Sequence, residues 1–317
     1  ATFDGNQWST PSLVPSNSIS IHPGAHVLHY SSTCFEGLKA FRHPDGSSHI
    51  FRMDQNIKRM AQSSRLISLP SVDEAMLKAM ILELVGRYAD DIPAAPGTLY
   101  LRPTHMGTEA AIGKAAASSN ESMLYILASP VGDYFASGDT TLRVLIDEDG
   151  MRCAPHMGMI KGGSNYCSAM PVVNKARAEH QADQVLFAPQ GDVQETAAAN
   201  FILIDGNEVI TKALDSTFLH GVTRASVLTL AQEMGMKISE RDLSVEELLE
   251  RSAHPDAEAA LSGTAAVLTP VGTLIHHGKD HTVGTGKPGK TTVKLRKALN
   301  DIQFGLAKDR FGWLTKV

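Results

Sequence analysis

Lys161 stands within Met157-Gly158-Met159-Ile160-Lys161-Gly162-Gly163-Ser164-Asn165-Tyr166. An apolar approach precedes it, two glycines follow, and a tyrosine comes five residues on. Glycines let a backbone or a cofactor come close. A lysine in such a pocket loses its charge by desolvation and becomes a nucleophilic amine. The same string also reads as a surface loop, because lysines are seldom buried. Its chemistry therefore depends on what accompanies it.

Two segments are suited to an anion. His220-Gly221-Val222-Thr223-Arg224 puts a glycine and a hydroxyl at a helix start, where free N–H groups and the dipole attract phosphate. Ser262-Gly263-Thr264 offers a similar small, hydroxyl-bearing turn. Arg59 can add a permanent charge. Taken singly, these also read as helix capping and a solvated charge. Glu195, in Val193-Gln194-Glu195-Thr196-Ala197-Ala198-Ala199-Asn200, reads either as an exposed turn or as a carboxylate aimed into a pocket. The second reading requires a cationic partner, since an unpaired buried charge is costly.

Two further patterns point elsewhere. Gly284-Thr285-Gly286-Lys287-Pro288-Gly289-Lys290-Thr291 fits the P-loop expression, with residues 201–205 as a nominal Walker B strand. That strand precedes the loop, and too little chain follows Thr291 to build a nucleotide-binding core. A loop capping a helix is the reading preferred. His276, His277 and His281 lie close together, yet no carboxylate or cysteine joins them at a recognisable ligand spacing. A solvated hairpin without metal is expected.

The elements that must position these residues alternate between strand and helix patterns. Strands are expected at 17–21, 28–30, 35–41 and 50–52, with His43-Pro44-Asp45-Gly46 as a hairpin turn. Asp54 is expected to cap a helix to Leu66, and Ser71-x-x-Glu74 to open another to Tyr88. Strands follow at 98–102 and 123–128. The second half reads as strand 142–146, helix 164–180 kinked or restarted at Pro171, and strands 184–188 and 201–205. Three helices complete it: one capped by Thr223, one by the Ser244-x-x-Glu247 box, and one over 291–302. The glycine-bearing break after Pro130 suggests a small N-terminal domain (1–135), a linker (136–141) and a larger domain (142–317). Both are α+β.

Composition bounds the class. Of 317 residues, 43% are hydrophobic and 20% charged, and 29 basic against 34 acidic residues give a net charge of −5. Nothing marks a nucleic-acid surface. No apolar run reaches the ~20 residues that cross a membrane. Ala1-Thr2-Phe3-Asp4-Gly5 carries no signal-peptide pattern, and the three cysteines are scattered, so a cytoplasmic small-molecule enzyme is expected.

Lysine, tyrosine, glutamate, arginine and two anion turns together suggest pyridoxal phosphate. In order along the chain they resemble the branched-chain amino acid aminotransferases, of the fold-type-IV pyridoxal-phosphate enzymes. The similarity covers nearly the whole chain. It is carried by His29-Tyr30, Cys34-Phe35-Glu36-Gly37-Leu38-Lys39-Ala40, Asn56-Ile57-Lys58-Arg59-Met60, Tyr100-Leu101-Arg102-Pro103 and Gly107-Thr108-Glu109. Pro130-Val131-Gly132-Asp133-Tyr134-Phe135, the Lys161 string, Glu195, Gly221-Val222-Thr223-Arg224, Ser262-Gly263-Thr264-Ala265 and Asp301-Ile302-Gln303-Phe304-Gly305 complete it.

The resemblance implies a two-domain architecture with the cofactor at the domain interface, and a homodimer. It implies transamination between leucine, isoleucine or valine and 2-oxoglutarate by ping-pong exchange. Lys161 would be the Schiff-base and proton-shuttling residue. Glu195 would face the pyridine nitrogen, with the cofactor as its cationic partner, and Tyr166 would bond the ring oxygen. Arg59, Val222, Thr223 and Thr264 would hold the phosphate. Tyr30, Phe35 and Tyr100 would form an apolar wall, and Arg102, Tyr100, Thr264 and Ala265 would serve the carboxylate. Chains of the same fold include D-amino acid aminotransferases and aminodeoxychorismate lyases; Tyr100-x-Arg102 and Gly107-Thr108-Glu109 favour the branched-chain group. The chain departs from the family at Thr196-Ala197-Ala198-Ala199, where no hydroxyl contact can be assigned to Ala198. Ala266 and Thr269 replace the redox Cys-x-x-Cys of the mammalian members, so a thiol switch is not expected. The segment before Trp8 is shorter than in many relatives.

Overall fold

A computed structural model describes residues 1–132, 140–265 and 267–317. The first strands and helices are β1 (Thr2–Phe3), α1 (His26–Tyr30), β2 (Thr33–Phe35), β3 (Leu38–Arg42), β4 (Ser48–Phe51), α2 (Met53–Leu66) and α3 (Glu74–Arg87). Next come β5 (Thr98–Gly107), β6 (Ser122–Val131), β7 (Leu142–Asp147), α4 (Gly163–His180), β8 (Gln184–Phe187), β9 (Asn200–Asp205), β10 (Glu208–Thr211) and α5 (Val222–Glu233). The chain ends with β11 (Lys237–Glu240), α6 (Val245–Ser252), β12 (Glu258–Gly263), β13 (Val267–His276), β14 (Lys279–Thr282), α7 (Lys290–Gln303) and β15 (Leu314–Lys316).

Two compact units result. The first comprises Ala1–Asp133, Ile160–Ser164 and Ile302–Val317; the second comprises Tyr134–Met159 and Asn165–Asp301. A single cut at 136–141 would divide the chain differently, and of that linker residues 136–139 lie outside the described residues. Backbone pairing explains why residues 160–164 and 302–317 fold with the first unit. Phe35 N–H donates to the Lys161 carbonyl at 2.9 Å, Cys34 forms a bridge with Gly162, and β15 pairs with β4.

In the first unit the strand order is β1-β6-β5-β3-β4-β15, with β2 also on β5. Its pairings are antiparallel. Leu38, Ala40, Ile50, Leu99, Leu101 and Leu124 meet Ile57 and Met60 of α2 and Leu77, Ile81 and Val85 of α3 in one apolar core. In the second unit the order is β11-β10-β9-β12-β13-β7-β8, with β14 on β13. Three of its pairings are parallel: β13 with β7, β7 with β8, and β10 with β11. Val144, Leu203, Ile210, Leu261 and Leu274 centre its core.

Most expected elements are present, and the differences have local causes. Residues 17–21 form no strand, because period-two alternation without a pairing partner leaves an exposed segment. Residues 28–30 belong to α1. Helix α2 starts below Arg52 in the left-handed region (φ 49°), which places Asp54 in the first turn instead of at the cap. Asp73, not Ser71, caps α3 by accepting from the Met76 N–H at 3.0 Å. Ser244 does cap α6, accepting from the Glu247 N–H at 3.1 Å. Gly221 takes the cap of α5 and leaves Thr223 in its first turn. Pro171 lies inside the single helix α4, and β6 extends through Pro130 and Val131. No helix among the described residues is long and apolar enough to cross a membrane.

Candidate active site

Helix α2 buries two faces. Met53, Ile57 and Met60, at helical spacing, enter the apolar core, while Asn56, Arg59 and Ser63 form a second buried stripe that is polar. Buried polar groups require partners. Arg59 donates from Nε to Glu36 Oε1 at 2.6 Å and from Nη2 to Oε2 at 2.9 Å, and Asn56 Nδ2 donates to Oε2 at 2.7 Å. Glu36 is 1% exposed. Burial alone would raise its carboxyl, but the charge and hydrogen bonds of Arg59, with the Lys161 charge and Asn56, hold it below the usual carboxylate range. Two nitrogens of the arginine expected at a phosphate thus face a carboxylate of its own unit.

Lys161 is fixed at its backbone from both sides. Its N–H donates to Ser63 Oγ at 3.1 Å, and its carbonyl accepts from the Phe35 N–H. Its Nζ lies 5.1 Å from the centroid of the Phe35 ring, and the Arg102 guanidinium carbon lies 4.5 Å from the same centroid. One apolar ring therefore meets both the amine and a permanent cation. Arg102 Nη2 donates to Tyr100 Oη at 2.9 Å, whereas its Nε is buried with no hydrogen-bond partner among the described residues. Gly37 makes this pair possible, because a Cβ there would lie 2.1 Å from Tyr100 Oη. Tyr30 has contacts of its own. It donates to the Ile112 carbonyl, and its ring packs on His26 at 4.8 Å.

Behind the lysine segment runs a buried polar chain. Cys34 Sγ meets Ser64 Oγ at 3.4 Å, and Ser64 Oγ meets His105 Nδ1 at 2.8 Å. Burial pushes the Cys34 thiol up to about 12 and the His105 imidazole down to about 4, so both are neutral at physiological pH.

The second unit gathers another set. Glu195, 2% exposed, pairs through Oε1 with Arg152 Nη1 at 2.8 Å, and the same oxygen accepts from the Leu219 N–H at 2.8 Å. Oε2 accepts from Asn200 Nδ2 at 3.3 Å. Arg152 also donates from Nε to the Ala197 carbonyl at 3.3 Å, and its guanidinium carbon lies 5.6 Å from the centroid of the Tyr166 ring. The cationic partner expected from a cofactor alone is therefore also present in the chain, as Arg152.

Helix α5 begins at Val222 and Thr223 with no side-chain cap, which leaves its first N–H groups and positive dipole end turned toward the preceding turn. Gly221 is required there, since a Cβ would lie 2.0 Å from Asn200 Oδ1. Arg224 points its charge elsewhere, pairing with Glu240 at 2.7 Å. Thr264 and Ala265 form the turn after β12, and Ser262 just before them has a buried hydroxyl with no partner among the described residues. Ala266 lies outside the described residues; Thr269 sits in β13 opposite Leu261.

The P-loop match has a different use. Thr291 and Thr292 N–H donate to the two Glu258 carboxylate oxygens at 2.8 and 2.7 Å. A carboxylate of the chain thus occupies the helix start that a nucleotide phosphate would need. Residues 201–205 lie in β9, antiparallel to both neighbours, unlike a Walker B strand.

Sequence reading left Glu36, Ser63, Arg152 and Asn200 without roles. Glu36 and Asn200 stand inside motifs already singled out, and their flanking glycine and small residues were the available signal. Arg152 had none, because nothing local tells a buried arginine from an exposed one.

A family model described as amino-transferase class IV matches residues 33–274. The chain is 36% identical over 323 residues to branched-chain-amino-acid transaminase 1 of Bacillus subtilis (strain 168), covering 99% of this chain and 89% of that one. It is similar to the crystal structure of Escherichia coli branched-chain amino acid aminotransferase, with TM-score 0.80, 25% identity and 96% of each chain covered. The branched-chain amino acid aminotransferase from Thermobaculum terrenum in its PLP form shares the fold, at TM-score 0.80 and 24% identity over 96% of this chain and 95% of that one.

Proposed function

The chain belongs to the class IV amino-transferases, and we propose from that premise that it moves the amino group of leucine, isoleucine or valine to 2-oxoglutarate, giving branched 2-oxo acids and L-glutamate. The observation that carries the reading is the Phe35 ring, which meets the Lys161 amine and the Arg102 guanidinium together. An aliphatic side chain and a second carboxylate must be accepted in alternate half-reactions. An apolar wall with a cation on it suits both.

The residues also fit pyridoxal phosphate. The start of α5, which has no side-chain cap, with the Ser262 hydroxyl that has no partner among the described residues, suits a phosphate, and the buried Glu195 carboxylate suits a pyridine nitrogen. When bound, pyridoxal phosphate supplies an aldehyde that takes up the amino group and a ring that accepts electrons from the α-carbon. Lys161 would hold the cofactor through its amine and would move the proton at the substrate α-carbon. Ser63 and Phe35 fix the backbone of that lysine, so its amine needs little reorganisation to act. Arg102, whose Nε has no partner among the described residues, and Tyr100 would take the substrate carboxylate, a role the resemblance also gives to Thr264 and Ala265, and Phe35 and Tyr30 would exclude water. Arg152, Leu219 and Asn200 hold the Glu195 carboxylate in place. By the resemblance Val222, Thr223 and Thr264 would hold the phosphate, Arg59 would add its charge, and Tyr166 would take the ring oxygen.

The test is the visible spectrum of the purified protein with L-leucine, then with D-alanine. A cofactor band that shifts with L-leucine and ignores D-alanine supports the reading. Lys161→Ala is expected to abolish turnover, and a variant that still transaminates would sink the assignment. A cytoplasmic homodimer goes with this reading on family resemblance, and light scattering that finds one protomer mass would remove the dimer.

A further inference from the structure

The β13–β14 hairpin turns through His277 and Gly278, both at positive φ (48° and 72°). The left-handed conformation at His277 folds its ring back against that of His276, with centroids 3.9 Å apart. Strand β13 runs parallel to β7, with Ile275 opposite Leu145, so the chain leaving β7 emerges at the same end of the sheet. Glu148, the residue after β7, therefore arrives beside the two histidines from 128 positions upstream of His276. Sequence spacing could not reveal this carboxylate.

One oxygen serves both rings. Glu148 Oε2 lies 2.5 Å from His276 Nε2 and 3.6 Å from His277 Nε2. One ligand atom from each of the three residues lies within 4.8 Å of the others. The backbone that presents Glu148 is itself tied, its carbonyl accepting from the Gln190 N–H at 3.1 Å. We infer that Glu148, His276 and His277 form a binding site for a divalent transition-metal ion of the zinc class, which staples the β13–β14 turn to the exit of β7.

The geometry and donor chemistry agree. Zinc binds imidazole nitrogen and carboxylate oxygen at about 2.0–2.2 Å, so neighbouring ligand atoms around it stand roughly 3.4 Å apart. The His277–Glu148 separation is already close to that value. The His276–Glu148 pair must open by about 1 Å, a small rotation of two side chains near the surface. Two imidazoles with one carboxylate favour zinc, nickel or copper over magnesium or calcium, which prefer all-oxygen shells. His277 is 77% exposed, so the ion enters from solvent without unfolding, and water completes the coordination. His281, with its ring centroid 6.3 Å from that of His276, lies outside the triad and provides a control.

The experiment uses untagged, chelator-treated holoenzyme dialysed against zinc sulfate, with metal content and melting temperature measured together. The expected result is one zinc per chain and a rise in melting temperature, since the ion binds the folded state alone. His277→Ala, at an exposed position that leaves folding intact, is expected to weaken binding roughly tenfold or more. Glu148→Gln is expected to do likewise, and His281→Ala to leave binding unchanged. Less than one equivalent of zinc in the wild type, or equal binding by the wild type and His277→Ala, would overturn the inference.

Discussion

The His105 imidazole makes acid stability a quantitative test of the first unit. Burial lowers it to about 4 from the ordinary 6.5, so between those values the unfolded chain holds a proton that the native chain does not. Stability is complete above the unfolded value and falls as pH falls toward the folded one. At about 1.4 kcal/mol per pH unit, the loss comes to about 2 kcal/mol at pH 5 and about 3 kcal/mol at pH 4. His105→Asn keeps an amide where Nδ1 meets Ser64 and removes the titration. The assay is urea unfolding followed by tryptophan fluorescence, at several pH values from about 7.5 to 4.5. Both tryptophans, Trp8 and Trp313, belong to the first unit, so the signal reports the unit that holds His105. All other titrating groups are shared by the two proteins, and subtracting one curve from the other isolates the imidazole. The wild-type advantage is expected to shrink by about 2 kcal/mol between pH 7.5 and pH 5. A difference that stays level across the window would refute the reasoning. Ser64 adjoins Ser63, whose hydroxyl takes the Lys161 N–H, so the protection factor of that amide, its exchange rate corrected for the intrinsic pH dependence, is expected to fall over the same window.

Two more outcomes are expected. Arg152→Met leaves the buried Glu195 carboxylate without its ion-pair partner, a loss of about 3–5 kcal/mol. Calorimetry of the second-unit transition and cofactor retention after dialysis measure it, and values matching the wild type would deny Arg152 its supporting role. Gly37→Ala pushes Tyr100 Oη away from Arg102 while touching only the far end of a side chain. The KM for 2-oxoglutarate is expected to rise roughly tenfold, about 1.4 kcal/mol, with the melting temperature nearly unchanged. An unaltered KM would mean that the Tyr100–Arg102 pair does not serve the substrate.

Local patterns were readable wherever the cause was local. The α2 and α3 extents, the His43–Gly46 hairpin and the Ser244 cap all rest on spacing and turn chemistry within a few residues. The caps at Asp73 and Gly221 each lie two residues from the expected Ser71 and Thr223, because several candidate capping residues stand close together and only the backbone path chooses among them. Residues 17–21 alternate as a strand does, but alternation without a neighbouring strand carries no energy. Lys161, Phe35 and Arg102 are each conspicuous in the sequence, yet their meeting on one ring depends on β2, β5 and the lysine segment being brought together. Partners such as Arg152 for Glu195 and Glu258 for the start of α7 come from distant sequence, and no periodicity encodes them.

The return of the chain to the first unit at residues 302–317 has a consequence for how the protein is made. Strand β15 is the last partner of β4, Arg52 N–H donates to the Trp313 carbonyl at 2.7 Å, and Phe41 packs edge-on against Phe304 at 5.1 Å. On a ribosome, chains usually settle from the amino end forward. Here the strands of the second unit are all synthesised before the first unit receives its closing edge. The unit whose strands are made first is therefore completed only once β15 has been synthesised, after every strand of the other unit.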